Sequence, residues 1–209
     1  MNPGQADNAF RTTEIIAEHL VHAWNYCATL RTLQCYACSC PDVLDRNGHF
    51  FSTLMFALWD SLFLKLAHCS DRQKEATGFP KLFKQLRAYL PKSHHLRQHI
   101  DEQERSLIAL EAREKVEKWR NQVVAHHTVK DEFDAFYKEN VCSLDEIESL
   151  IRTFGGILQS FSRDLWNQVF CIEDLGCLAR QGVDRLIQSM KKQDEQEVSG
   201  DAKFNSKLE

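Results

Sequence analysis

Lys118-Trp119-Arg120-Asn121-Gln122-Val123-Val124-Ala125-His126-His127 closes the longest stretch of helical periodicity in this 209-residue chain. From His94 onward, Leu96, Ile100, Leu107, Leu110, Val116, Trp119 and Val123 recur with a period close to that of an α-helix, as an amphipathic helix requires. The pattern predicts one helix over about 94–127, the longest in the molecule, with Ser93 available as its N-cap after the break at Pro91. Its last two turns hold an arginine, an adjacent asparagine and a histidine. Arginine is a permanently charged, fork-shaped phosphate ligand. Histidine is the side chain most easily poised for proton transfer near neutral pH. Together they are a minimal set for cleaving a phosphodiester without a metal ion.

The same 3.6-residue period runs outward in both directions, and no segment sustains strand alternation. A first helix is expected over about 10–38, ended by Pro41 and the polar cluster Asp42 to Gly48. A second, over about 49–69, is apolar on nearly all sides (Phe51, Leu54, Phe56, Leu58, Leu62, Leu66), the pattern of a helix at the centre of a bundle. Asp60 interrupts it: the carboxylate either pairs with an arginine, Arg120 being one candidate, or lies on a thin solvent-facing stripe. Pro80 opens a short helix to Leu90. Ser143-Leu144-Asp145-Glu146 is a capping box opening a helix to about Phe170. A last helix spans about 174–192. The fold class is therefore all-α: an up-and-down bundle of five to six helices with an additional C-terminal helix. Residues 1–9 read as a flexible start, 10–192 as a single domain and 193–209 as a disordered polar tail, whose Leu208-Glu209 resembles an expression-tag scar.

Composition narrows the class of function. The chain is 43% hydrophobic, with few glycines (8) and prolines (4), as suits a helical globular protein. No apolar run reaches the roughly 18 to 20 residues of a membrane span, and the N-terminus is not a secretory signal, so a cytoplasmic protein without a membrane partner is expected. The net charge of −4 hides an asymmetry, because residues 72–130 carry 13 Lys/Arg against 7 Asp/Glu. That basic third holds the motif together with His94, His95 and His99. It is either a surface that attracts a polyanion or a chance distribution over solvated helix faces. Cys35-x2-Cys38-x-Cys40 is the one metal-like cluster; a structural zinc normally needs four ligands, no second pair accompanies it, and free thiols are the expectation. No cofactor or metal is called for.

Arg120-Asn121-x3-Ala125-His126 resembles the signature of the HEPN superfamily (higher eukaryotes and prokaryotes nucleotide-binding domains). The segment from Leu58 through Asp71, followed by Phe79-Pro80-Lys81-Leu82, is similar to the abortive-infection U branch of that superfamily. Many HEPN proteins are ribonucleases of defence and toxin systems. The resemblance implies a metal-independent endoribonuclease working as a homodimer, with RNA as substrate. Arg120 would stabilise the phosphorane, His126 would act as general acid or base, and Asn121 would hold the histidine, the phosphate or local backbone. His127 is the alternative histidine. In a regular helix, residues seven apart nearly eclipse whereas residues six apart lie about 120° apart. Arg120 therefore faces His127 unless the helix loosens or ends, or a second subunit completes the site. A non-catalytic module binding RNA, nucleotide or protein remains open, as does a purely structural dimeric bundle. Some HEPN toxins are silenced through a tyrosine two residues after the histidine. Thr128 stands there and the next tyrosine is Tyr137, so that mode of control is in doubt, and any antitoxin or regulatory protein is unidentified.

Overall fold

The computed structural model describes residues 3–73, 76–121, 140, 142–172 and 176–205. Eight helices and no strand are present among them: α1 (Pro3–Ser39), α2 (Pro41–Arg46), α3 (Gly48–Ser70), α4 (Phe79–Tyr89), α5 (Leu96–Ile108), α6 (Glu111–Trp119), α7 (Leu144–Trp166) and α8 (Gly176–Asn205). The all-α class holds. The helix count is higher than expected because Pro41 starts a short helix of its own and the helix expected over 94–127 is two pieces.

That break falls at Ala109 and Leu110, neither of which is a helix breaker. Ala109 keeps helical angles and closes α5 through its N–H on the carbonyls of Arg105 and Ser106, and Leu110 then turns extended (φ −76°, ψ 113°). The kink lets α5 lie on α4 while α6 packs on α3 and α7. Ser93 is not the cap of α5; the Leu96 N–H instead donates to His94 Nδ1 at 3.3 Å. The longest helix is α1. It is also the hub, packed against α2, α3, α4, α7 and α8, and its buried alanines 9, 17, 23 and 28 let those neighbours approach closely.

Helix α3 corrects the expectation of an all-round buried helix. Leu62, Phe63, Leu66 and Ala67 are at 0–2% exposure, but Phe50 and Phe56, in its first half, are 52% and 67% exposed. By length and composition alone α3 does reach the membrane-spanning criterion (mean hydropathy 1.4), which the sequence reading had not found. Asp60 is exposed, on the solvent-facing stripe rather than against an arginine.

The capping box forms as expected: Ser143 Oγ accepts from the Glu146 N–H at 3.1 Å, and the Ser143 N–H donates to Glu146 Oε2 at 2.7 Å. Helix α7 stops at Trp166, short of Phe170, because Asn167 takes the left-handed conformation (φ 52°) that asparagine tolerates at a helix end. Helical backbone in α8 continues to Asn205, past Lys192, over residues whose composition predicts disorder.

Candidate functional site

The site is placed by an aromatic stack. Trp59 stacks on Phe63 (ring centroids 5.4 Å apart) and Phe63 meets Trp119 at 4.8 Å, fastening the end of α6 to the second half of α3. Trp119 is 6% exposed and part of the core, and truncating it would cost about 3–5 kcal/mol. The next residue, Arg120, is thereby held over the C-terminal end of α3, where Asp71 stands.

Gly78 fixes Asp71. A Cβ at Gly78 would lie 2.6 Å from the backbone oxygens of both His68 and Cys69. Only glycine lets the linker return this closely onto the last turn of α3. Asp71, the C-cap residue of α3, uses both carboxylate oxygens: Oδ1 accepts from the Gln73 N–H at 2.9 Å and Oδ2 from Arg120 Nη1 at 2.6 Å. The two side chains are 11% and 19% exposed, a largely buried ion pair. Arg120 Nε and Nη2 both donate to Asn121 Oδ1, at 3.0 and 2.9 Å. Three of the five guanidinium N–H groups are thus occupied, and the other two have no partner among the described residues.

Arg120 and Asn121 lie in a π-type turn. Such widened turns are rare and recur at functional sites. Arg120 itself keeps helical angles (φ −53°, ψ −47°) as the C-cap of α6. His126 and His127, with Val123, Val124, Thr128 and Tyr137, lie outside the described residues. Asp60 is not brought to Arg120; Asp71 is.

Two histidines that the sequence reading did not select border this pair. His19 of α1 and His68 of α3 have ring centroids 5.2 Å apart, and each has a buried Nδ1 with no hydrogen-bond partner among the described residues. Burial, then Lys65 and then His68, lower the His19 pKa to about 4. Burial and Lys65 lower that of His68, with Asp71 opposing and Arg120 adding to the effect. A histidine whose native pKa lies below its ordinary 6.5 is favoured neutral, so its contribution to stability is present above pH 6.5 and is lost as pH falls towards about 4. The thermal midpoint of the wild type should fall through that window, and His19→Gln should flatten the decline. An unchanged pH profile in the variant would show that His19 does not carry it.

Elsewhere, His99 bonds Ser160 Oγ at 3.1 Å and packs on Phe161, away from the motif. Cys35 and Cys38 are exposed and Cys40 half-buried, all as free thiols. Among the described residues no three His, Cys, Asp or Glu side chains group as a ligand set.

A helical domain with a partly buried, anchored arginine of this motif corresponds to the HEPN class. The HEPN family model described as AbiU2 matches residues 14–175, and the chain belongs to the AbiU2 family of HEPN domains. No curated protein and no solved structure matches it.

Proposed function

We propose that this protein is a metal-independent endoribonuclease of an abortive-infection or toxin system. The observation that carries the reading is the anchored Arg120 fork: a cation at the end of α6 held by Asp71 and Asn121, with two N–H donors that have no partner among the described residues. Pre-set donors of this kind stabilise charge that develops on a phosphorane without reorganising during the reaction. The nucleophile is the RNA 2′-hydroxyl, which attacks the adjacent phosphorus. Its proton passes to a histidine, for which His126 is the first candidate, as the 5′-oxygen leaves and takes up a proton. DNA lacks that nucleophile, so the chemistry selects RNA. A second copy of the chain supplies the other half of the cleft in this reading, as the family resemblance implies.

One feature favours the non-catalytic alternative. Asp71 already neutralises Arg120, as a structural ion pair would. Incubating the purified protein with total RNA separates the two. Cleavage that persists in EDTA and leaves 2′,3′-cyclic phosphate ends is the expected result, from a protein that scatters light as a dimer. Intact RNA, or cleavage that requires a divalent metal, would favour the non-catalytic module.

A further inference from the structure

We infer that a second cavity, behind the Asp71 anchor, seats one nucleotide of the RNA strand flanking the cut and gives the enzyme a base preference there; this rests on the ribonuclease reading of the arginine site. The cavity has a volume of about 500 Å³ and lies between the N-terminal end of α1, the linker after α3, and α4. That size falls within the roughly 300–1,000 Å³ of small-ligand sites. Arg72, Lys81 and Lys84 line it, and among the described residues no Asp or Glu does. None of the three cations makes an ion pair among the described residues. Three cations around one concavity attract an anion, and a phosphate suits them.

The rest of the lining is amide-rich. Gln5 and Asn8 face it from α1, Gln73 from the linker and Gln85 from α4. The Gln85 side-chain oxygen is buried with no hydrogen-bond partner among the described residues. A buried acceptor without a donor is costly unless a ligand supplies one, and the exocyclic amino group of a base does so. No aromatic residue among the described ones lines the cavity. Stacking on aromatics tolerates every base, whereas amides read base edges by hydrogen bonds. A cavity of amides and cations without a ring therefore discriminates between bases.

The cavity and the arginine site are joined by the linker after α3. The Asp71 carboxylate that holds Arg120 also holds the Gln73 N–H, and Arg72 lies between them in sequence. A strand whose scissile phosphate sits on Arg120 passes beside this linker, which puts a flanking nucleotide within reach of the cavity.

The test uses the full chain carrying His126→Ala, to prevent cleavage, and a fluorescein-labelled short single-stranded RNA followed by anisotropy. Lys81→Gln/Lys84→Gln should weaken binding by about 10-fold or more near physiological salt and flatten its salt dependence, since two phosphate-facing charges are lost. Gln85→Leu should level the affinities for oligo(A), oligo(C) and oligo(U), which the parent protein ranks. Arg72→Gln is the substitute if circular dichroism shows the double variant misfolded. Equal RNA affinity in parent and lysine variants, or an unranked parent, overturns the cavity while leaving the ribonuclease reading intact. Lysine-dependent binding by a wild type that does not cleave keeps the cavity and removes the ribonuclease. No RNA binding at all removes both.

Discussion

Replacing His126 by alanine is expected to lower RNA cleavage by about 100-fold or more, the usual cost of losing a general acid or base. RNA affinity and thermal midpoint should stay close to wild type. A neutral imidazole adds little ground-state attraction for phosphate, so its removal acts on kcat rather than on binding. His127→Ala is the paired control. A regular helix would turn His127 towards Arg120, which makes it the natural rival for the role. Loss of activity in His127→Ala alone would reassign the base to that residue. Full activity in both variants would defeat acid–base cleavage by this motif, and the anchored arginine would then belong to a binding module.

Two helix starts were well marked in the sequence, because their signals are local. Pro80 in the first turn of α4 and the Ser143–Glu146 capping box each act within four residues, and both form as the sequence predicts. Where a helix bends was not marked. Alanine and leucine are among the strongest helix formers, yet the chain turns at Ala109 and Leu110 so that α5 and α6 can pack on different partners. Tertiary packing overrides propensity there. Burial was misjudged for the same reason. α3 is the more apolar helix, but α1, with its buried alanines, is the hub. Hydrophobic content says that a residue can be buried, not that a neighbour will cover it.

The site divides along the same line. Arg120 and Asn121 are adjacent in the motif, but the motif suggested Asn121 as a holder of the histidine, the phosphate or local backbone, whereas its Oδ1 accepts from Arg120. Asp71 lies 49 residues from Arg120; sequence spacing marked it only as the acid that ends α3. Asp60 was the nearer guess, as the charge inside an apolar helix, but such a charge can also sit on an exposed stripe, and this one does. His19 and His68 come from different helices and carry no shared pattern. Their meeting beside the arginine depends on the crossing of α1 and α3, which no local signal encodes.

Arg120→Ala is expected to lower kcat/KM by about 10²- to 10³-fold, the cost of removing a pre-set donor to a developing oxyanion, and to weaken RNA binding as well. Arg120→Lys should recover binding but not rate, because an ammonium keeps the charge without the planar fork. Asp71 acts through the arginine and is a positioning residue. Asp71→Asn removes one negative charge from the site, so RNA affinity should hold or tighten. Cleavage should still fall by about 10-fold or more, because the fork loses its charge-assisted anchor. The loss of that largely buried pair should also cost about 1–3 kcal/mol of stability, read from denaturant midpoints. The double variant Asp71→Asn/Arg120→Ala decides the relation. If Asp71 works only by holding Arg120, the double variant cleaves no more slowly than Arg120→Ala alone. Losses that multiply would give Asp71 a role in the chemistry independent of the arginine, and the positioning argument would fail.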